Sequence, residues 1–357
     1  MVKRKPLYVN LFLLLLFVHL NQCYRAPKRI PGVGAEENPS GEPVGGGNGY
    51  SQMFNRGDHY VTDRAGLLVA LTMARPHEMI YVDSAAVIDL TGLDSLRIPG
   101  GVTLASSRGK NGSQGALLFT KKLDTPTLFM TGGPDVRITG LRIAGPDTTR
   151  RTRQLKNLLK TGGREAYYSV PINDGIISHH VGLLIDNCEW YGWNHAAIFL
   201  KQGAWNAKIY HNYIHHCQRE GLGYGVCLDE SSAIIEGNLF NWCRHAIAAT
   251  GRPRTEYEAR YNLVLEYANG HSFDMHGGAD REDGTDIAGQ RVLIHHNTFL
   301  ATDVAAVVIR GRPLEVSKIH HNFFKHKSVD AAVKQTNLTG NLEVYDNFVA
   351  SKYFGIF

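Results

Sequence analysis

Apolar and polar positions alternate in short segments along most of this chain, and the segments recur at a nearly constant spacing. Each repeat contains an apolar residue, two variable residues, an asparagine and then mostly apolar residues. Seven copies occur, and successive asparagines are 25, 26, 24, 35, 25 and 25 residues apart. This regularity predicts stacked structural repeats. The seven asparagines are Asn187, Asn212, Asn238, Asn262, Asn297, Asn322 and Asn347.

The length of the repeat predicts a β-solenoid. Segments such as 196–200 and 305–309 alternate like strands, and no run is long enough for a core helix. Coils of about 25 residues that stack at the strand spacing of about 4.8 Å bury one continuous core and place equivalent side chains above one another. We therefore expect the asparagines to form an internal ladder at a tight turn. Segments 87–91, 98–104 and 136–143 are interpreted as earlier, less regular coils.

The N-terminal residues predict a leader, a linker and a cap. A basic head and an apolar run of about ten residues, too short to span a bilayer, are typical of a signal peptide. We expect export, with a lipid anchor at Cys23 as the less favoured alternative. Asp63 is expected to cap an amphipathic helix that covers the open first coil. We divide the chain into a signal peptide (1–23), a flexible Gly- and Pro-rich linker (24–58) and one solenoid domain (59–357).

Composition and charge exclude several classes of protein. The chain is 43% hydrophobic and 20% charged, which is typical of a globular protein. Its net charge of +5 falls to about +2 once Lys3, Arg4 and Lys5 leave with the leader, so we expect no nucleic-acid partner. We also expect a monomer without a membrane-spanning segment after processing. The 17 histidines could suggest metal, but the adjacent pairs at 295–296 and 320–321 occupy equivalent turns, so we interpret them as stacked turn residues.

The strand after each asparagine turn is expected to line a groove, because alternation points every second side chain outward. Tyr224, Arg244, His245 and His271 are expected at the edge of the same strands. The outward residues are Phe199 and Lys201 in one coil, Cys227 and Asp229 in the next, then Ala248 and Thr250, Asp274 and His276, Val308 and Arg310, and finally Lys334.

Aspartate, histidine and arginine on one face suit the chemistry of uronic acid polymers. The hard step is removal of the proton at carbon five, because the adjacent carboxylate opposes formation of a carbanion. A cation must neutralise that carboxylate, and arginine can do so with two hydrogen bonds. Elimination of the oxygen at carbon four then gives a lyase, whereas reprotonation on the opposite face gives an epimerase.

The repeat resembles the pectin-lyase-like right-handed parallel β-helix superfamily over about residues 80–357. The resemblance implies an all-β fold, a right-handed parallel β-helix with an N-terminal capping helix. The string 271–276 is similar to the Tyr-Gly-Phe-Asp-Pro-His motif of alginate C5-epimerases, which it matches at Phe273, Asp274 and His276. This second resemblance implies catalytic roles for Asp274 and His276 only.

Our hypothesis assigns a role to each candidate residue. His271 or His276 acts as base or acid, Arg310 or Arg244 neutralises the substrate carboxylate, and Asp274 orients a histidine or binds a cation. His245 completes the candidate catalytic set. The expected substrate-binding residues are Tyr224, Asp229, Lys201 and Lys334.

Four functions follow from these expectations. A lyase acting on an anionic uronate polysaccharide is favoured, with a C5-epimerase as the alternative. A glycoside hydrolase needs two carboxylates about 5–9 Å apart, and Asp229 and Asp274 lie two coils, or roughly 10 Å, apart. A non-catalytic glycan-binding solenoid is the fourth. No metal ligands are predicted, although the acidic loop 277–286 could bind Ca²⁺, and the basic insertion 145–174 could form a helix that attracts the polysaccharide.

Overall fold

Short strands dominate this protein, whose computed structural model describes residues 31–336 and 340–350. Four α-helices accompany them in these ranges: α1 (Arg64–Met73), α2 (Thr152–Tyr168), α3 (Gly278–Arg281) and α4 (Val329–Ala332), with 3-10 turns at Ala35–Glu37 and Lys110–Gly112. In chain order the strands are β1 (His59–Val61), β2 (Met79–Val82), β3 (Val87–Asp89), β4 (Leu96–Ile98), β5 (Thr103–Ala105), β6 (Leu117–Phe119), β7 (Thr127–Thr131), β8 (Arg137–Thr139), β9 (Arg142–Ala144), β10 (Asp174–Ser178), β11 (Leu184–Asp186), β12 (Glu189–Tyr191), β13 (Ala196–Leu200), β14 (Ala207–Tyr210), β15 (Tyr213–His215), β16 (Tyr224–Leu228), β17 (Ser232–Glu236), β18 (Leu239–Asn241), β19 (His245–Ala249), β20 (Glu256–Arg260), β21 (Leu263–Val264), β22 (Phe273–Met275), β23 (Arg291–His295), β24 (Thr298–Phe299), β25 (Val307–Ile309), β26 (Ser317–His320), β27 (Phe323–Phe324), β28 (Val333–Gln335), β29 (Leu342–Tyr345) and β30 (Phe348–Val349).

The strands form three parallel sheets, because every coil contributes one strand to each sheet in turn. Sheet A has the order β1-β2-β5-β8-β11-β14-β17-β20-β23-β26-β29. Sheet B follows it along the coil, with the order β3-β6-β9-β12-β15-β18-β21-β24-β27-β30, and sheet C has the order β28-β25-β22-β19-β16-β13-β10-β7-β4. The inward side chains of all three sheets pack into one continuous core. The parallel β-helix expected from the sequence is therefore confirmed.

An asparagine ladder joins the coils at the turn between sheets A and B. The Oδ1 atom of Asn238 accepts a hydrogen bond from the backbone N of Asn212 (2.9 Å), and the same contact repeats from Asn238 to Asn262 (3.0 Å). Each side-chain amide also donates to a backbone carbonyl of the coil before it, as Asn238 does to Ile209 (2.8 Å). Buried turn backbone is thus satisfied coil by coil.

The first asparagine predicted for the ladder is wrong by one residue. Ile185 pairs with Ile209 in sheet A, so the residue equivalent to Asn212 is Cys188 and not Asn187. Asn187 instead occupies the left-handed turn position, with a φ of 53°. Its side chain accepts from Gly47 N (2.7 Å) and donates to the Arg108 carbonyl (2.9 Å). The ladder therefore has six asparagines among the described residues: Asn212, Asn238, Asn262, Asn297, Asn322 and Asn347.

The adjacent histidine pairs stack along the same edge, as predicted. His295 lies over His320 with 5.0 Å between ring centroids and 2° between planes. His296 lies over His321 at 5.0 Å. Their positions in equivalent turns explain why histidine recurs there.

Helix α1 packs against the first coil. The Asp63 side chain accepts from Gly66 N (2.8 Å), which is the expected N-cap. Leu67, Ala70 and Leu71 are buried, and the helix contacts β1, β2 and β4. The open end of the core is thereby covered.

Residues 31–58 pack along the solenoid, in contrast to the flexible linker expected for 24–58. Gly34 N donates to the His321 carbonyl (3.0 Å) and Gly45 N to the Gly237 carbonyl (2.8 Å). The segment 31–58 therefore crosses several coils. A Cβ at Gly46, where φ is +65°, would lie 2.3 Å from the His211 carbonyl oxygen. The glycines allow close backbone approach to the turns, and this packing accounts for a composition that is also typical of linkers.

The predicted signal peptide and Cys23 lie outside the described residues. Within those residues, no helix has both the length and the apolar character needed to cross a membrane.

Candidate active site

The outward residues predicted for the groove lie on sheet C. The pairing Phe199–Cys227–Ala248 is observed, and Asp274, Val308 and Lys334 continue the same column in later coils. The strand that directly follows each asparagine turn belongs to sheet B, so the groove strand is the next one along the chain. The predicted alignment is confirmed, while the expectation that the strand directly after each asparagine turn lines the groove is wrong.

A second outward column lies three residues before the first. Two successive residues, such as Ala246 and Ile247, both belong to the core near the start of the strand. The residue before them lies on the outer side, which strict alternation does not predict. Tyr224 and His245 pair in this column, and their rings stack with centroids 5.7 Å apart. His271 extends the stack, 4.3 Å from His245.

Five of the predicted catalytic residues meet around the buried carboxylate of Asp274, and we call them the Asp274 cluster. Arg310 Nε donates to Asp274 Oδ1 (2.9 Å), and Arg310 Nη2 donates to Oδ2 (2.8 Å). His276 Nε2 lies 2.9 Å from Oδ2, His271 Nε2 lies 3.2 Å from Oδ1, and His245 Nε2 lies 3.6 Å from Oδ2. The members are His245, His271, Asp274, His276 and Arg310.

The charge of Arg310 is already used within the protein. Its third donor, Nη1, lies 2.9 Å from Asp280 Oδ1 in the loop after His276. Its Nη2 also lies 2.7 Å from His271 Nε2, and because a guanidinium only donates, this nitrogen of His271 is the acceptor. Arg310 is therefore a partner of buried aspartate, and four of its five N–H donors are engaged within the protein.

Burial and contacts set the protonation states in the Asp274 cluster. Burial acts to raise the pKa of Asp274, but its contacts with His271 and His276 outweigh burial, so the pKa lies well below its usual value. Burial lowers the pKa of His245 well below its usual value, although Asp274 acts to raise it. His245 Nδ1 donates to the His271 carbonyl. The cluster thus combines an ionised carboxylate with a neutral buried imidazole.

A cation has few free ligands in this region. His245, His271 and Asp274 have ligand atoms within 4.8 Å of one another, which is a spacing that could hold a metal ion. Arg310 already donates to both Asp274 oxygens and to His271. In the loop 277–286, proposed above for Ca²⁺, arginines pair with Asp280, Asp283 and Asp286. Neither place offers a set of unpaired oxygen ligands of the kind that Ca²⁺ prefers.

A different group surrounds Tyr224, in the coils before Asp274. The Arg244 guanidinium lies 6.0 Å from the centre of the Tyr224 ring. Its Nη1 atom is buried and makes no hydrogen bond to any described residue, and no carboxylate of the described ranges pairs with it. Burial raises the pKa of the Tyr224 hydroxyl, against a smaller lowering effect of Arg244. The groove therefore holds an arginine with an unsatisfied donor beside a protonated tyrosine.

The basic insertion forms α2, which packs against the loop before β16. The fully buried Arg219 donates to the carbonyls of Val170 (3.3 Å) and Tyr167 (3.4 Å), which fixes the end of the helix on the loop before β16. Arg164 of α2 lies 3.4 Å from Glu282 of the loop after His276. The helix predicted for this insertion is confirmed, and contacts near its C-terminal end reach both the loop before β16 and the loop after His276.

The comparisons with known proteins identify the fold. Residues 169–349 match the family model described as the right handed beta helix region, which is half of the chain. The chain belongs to the right-handed β-helix family. This β-helix protein is similar in structure to an alginate lyase from Paenibacillus sp. str. FPU-7, with a TM-score of 0.54 and 14% identity over 82% of this chain and 94% of that chain. It also matches the Family 28 exopolygalacturonase of Yersinia enterocolitica, with a TM-score of 0.42 and 11% identity over 80% of this chain and 62% of that one. No curated protein matches its sequence.

The β-helix also carries a histidine–aspartate pair that the sequence reasoning missed. His195 Nδ1 lies 2.7 Å from Asp174 Oδ1, and the same oxygen accepts from Ala196 N (2.9 Å). The neighbouring Asn173 and Asn194 exchange backbone-to-side-chain hydrogen bonds of 2.9 Å, which hold the two strand starts together. Asp174 pairs with Ala196 and Ala196 with Tyr224, so extending the column of Tyr224 and His245 by two coils would have found this pair.

We call the residues around Tyr224 the Tyr224 cluster, and its members are Asp174, His195, Tyr224 and Arg244.

The remaining residues predicted to bind substrate lie apart from both clusters. Lys201 lies over Phe199, with Nζ 4.9 Å from the ring centre. Asp229 accepts from Thr250 Oγ1 (2.7 Å), and Lys334 is exposed two strands beyond β22.

Proposed function

We propose that this β-helix protein is a polysaccharide lyase. Its substrate would be an anionic glycan that contains uronic acids, bound along the outer face of sheet C. The enzyme would remove the proton at carbon five of a uronate and eliminate the oxygen at carbon four. The use of a similar fold by an alginate lyase supports this choice of substrate class.

Arg244 is the observation that carries the proposal. A lyase must neutralise a carboxylate beside the developing negative charge, and it needs a cation with free donors to do so. Of the two arginines expected to serve, Arg310 pairs with Asp274 and Asp280, whereas Arg244 has a buried, unsatisfied Nη1. A substrate carboxylate would satisfy this donor. We therefore assign neutralisation to Arg244 and a positioning role to Arg310.

The states of the groove carboxylates favour proton abstraction over hydrolysis. A glycoside hydrolase needs a carboxylic acid that stays protonated and donates to the leaving oxygen. Asp274 is fully buried, and its pKa is lowered rather than raised. Asp174 is paired with His195 and Asp280 with Arg310. These contacts leave histidine and tyrosine as the proton-transfer groups.

Incubation of the purified protein with uronate polysaccharides tests the proposal. Alginate and polygalacturonate serve as candidate substrates, and a neutral glucan serves as the control. A lyase creates a double bond next to the carboxylate, so near-ultraviolet absorbance should rise while chain length falls. Shorter chains without new absorbance would indicate a hydrolase and contradict the proposal.

A C5-epimerase is the second candidate, and the Asp274 cluster favours it. Phe273, Asp274 and His276 match the epimerase motif, and His276 Nε2 lies 2.9 Å from Asp274 Oδ2. An epimerase would exchange the carbon-five hydrogen with deuterium from heavy water without a change in chain length or absorbance. Nuclear magnetic resonance of the recovered polymer would show this exchange.

We also propose export, on the basis of the leader predicted at residues 1–23. The monomeric state stays a prediction.

A further inference from the structure

Two buried aspartates of the groove each contact histidine, and they differ in what else contacts the carboxylate. Asp274 contacts His276 but also receives two hydrogen bonds from Arg310. Asp174 contacts His195 and one backbone N–H, and no arginine or lysine of the described residues lies within salt-bridge distance of it. A carboxylate stabilises an imidazolium through its own negative charge, and Arg310 already compensates the charge of Asp274.

We propose that His195, oriented by Asp174, accepts the carbon-five proton of the substrate, and that Tyr224 donates a proton to the leaving oxygen. This inference rests on the proposed lyase function and names the proton-transfer groups of that same site. It moves the reacting centre from the Asp274 cluster, where the sequence motif places it, to the Tyr224 cluster.

The tautomer of His195 follows from its contact with Asp174. An ionised carboxylate only accepts hydrogen bonds, so the proton of the neutral ring lies on Nδ1, which is 2.7 Å from Asp174 Oδ1. The lone pair is then on Nε2, which makes no hydrogen bond to the described residues and is not among their buried unsatisfied atoms. The side chain is 14% exposed, so Nε2 can meet a substrate in the groove.

Tyr224 and Arg244 complete the geometry. The rings of His195 and Tyr224 meet edge to face, with centroids 5.6 Å apart. Arg244 lies on the same tyrosine ring, 6.0 Å from its centre. A base, a hydroxyl donor and an unpaired cation therefore lie around one ring. His271, in contrast, is bound at Nε2 by Arg310, and His245 is fully buried.

The reaction balances with these groups and water. His195 Nε2 takes the proton from carbon five, and the electrons of that C–H bond form the double bond between carbons four and five. The bond from carbon four to the glycosidic oxygen breaks, its electron pair stays on the oxygen, and the Tyr224 hydroxyl protonates that oxygen. Water then takes the proton from His195 and returns one to Tyr224.

Matched histidine variants test the inference on a uronate polymer that the wild-type protein cleaves. Removing a general base costs about 10²–10⁴-fold in rate, so we expect His195→Ala to lose that factor in kcat with little change in KM. Added imidazole should restore part of the activity, because the variant leaves a space beside Asp174. His276→Ala should lose less and gain nothing from imidazole. Asp174→Asn should lower kcat without loss of folding, as judged by circular dichroism.

The outcomes separate this inference from the function on which it rests. Imidazole rescue of His276→Ala, combined with near-normal turnover by His195→Ala, would overturn the assignment of His195 and leave the lyase function standing. If the wild-type protein forms no unsaturated product from any uronate polymer, the lyase function fails and the role of His195 falls with it. If His195→Ala does not fold, a His195→Gln variant and its pH–rate profile replace it, with loss of the acid limb as the expected result.

Discussion

The Asp274 cluster and the Tyr224 cluster adjoin on the same sheet, where His245 stacks on Tyr224, and both contain aspartate, histidine and arginine. They differ in how the arginine is engaged. Around Asp274, an arginine, two aspartates and three histidines contact one another, and Arg310 engages four of its five N–H donors within the protein. Around Tyr224, Arg244 keeps an unsatisfied donor and His195 keeps a free nitrogen. Converging charges therefore mark a candidate site, and an arginine with a buried, unsatisfied donor marks the part of it that can bind an anionic ligand.

The largest expected effect comes from removing Arg310. An Arg310→Leu variant leaves the Asp274 carboxylate buried without its partner, which typically costs about 3–5 kcal/mol of unfolding free energy. Denaturant unfolding followed by circular dichroism measures this loss.

A double variant provides the control for Arg310. Replacing a buried ion pair by apolar groups is often nearly neutral, so adding Asp274→Leu to Arg310→Leu should recover much of the lost stability. Equal stability of the single variant and the wild type would show that Arg310 is not needed to compensate Asp274. The contrast between Arg310 in the Asp274 cluster and Arg244 in the Tyr224 cluster would then be wrong.

Removing Arg244 should act on activity instead of stability. An Arg244→Gln variant loses the cation that faces the substrate carboxylate, and loss of one such charge-stabilising donor costs on the order of 10²–10³-fold in kcat. The melting temperature should stay the same, because no carboxylate of the described residues loses a partner. Initial rates on a uronate polymer measure the effect.

Arg291 is the matched control for Arg244. It lies on sheet A, away from the groove, and pairs with Glu256 at 3.6 Å. Arg291→Gln should keep full activity. A comparable loss of activity in both variants would show that general surface charge, and not Arg244 in particular, draws the substrate.

The sequence predicts the fold well because stacking repeats the same physical requirement in every coil. Each buried A–B turn needs a side chain that bonds backbone on both sides, and asparagine meets this need, so it recurs at 212, 238, 262, 297, 322 and 347. The alignment of Cys227 with Ala248 and of Asp274 with Val308 follows from the same period. The pairing register between strands of neighbouring coils can therefore be predicted from the repeat alone.

The parts that could not be predicted depend on local departures from that period. Asn187 stands one residue before the true rung and was misassigned, because the motif does not distinguish the inward position from the turn position beside it. The glycines at 45–47 have the composition of a linker, yet they serve close packing against the turns. The two successive core residues Ala246 and Ile247 break the alternation of inward and outward side chains, so an argument based on alternation does not reach Asp174 and His195.

A further prediction concerns pH and the buried His245. Burial holds its pKa well below 6.5 in the folded protein. At a pH between this lowered pKa and 6.5, the unfolded chain therefore binds a proton that the folded protein does not. Stability must then fall as the pH decreases below about 6.5, by up to about 1.4 kcal/mol per pH unit for one such group. His245→Gln should flatten this slope in unfolding curves, whereas His179→Gln, at an exposed position, should leave it unchanged. Parallel slopes for all three proteins would contradict the neutral buried state.

The smallest expected effect tests whether the two clusters act independently. Arg164 of α2, beside the Tyr224 cluster, meets Glu282 of the loop that carries Asp280, and both side chains are exposed. Exposed ion pairs contribute little, so Glu282→Gln should leave the melting temperature unchanged and alter kcat/KM by less than about fivefold. A loss as large as that of Arg244→Gln would mean that the loop of one cluster positions the helix over the other. The groove would then act as one unit. It would be wrong to assign a structural role to the Asp274 cluster and a catalytic role to the Tyr224 cluster.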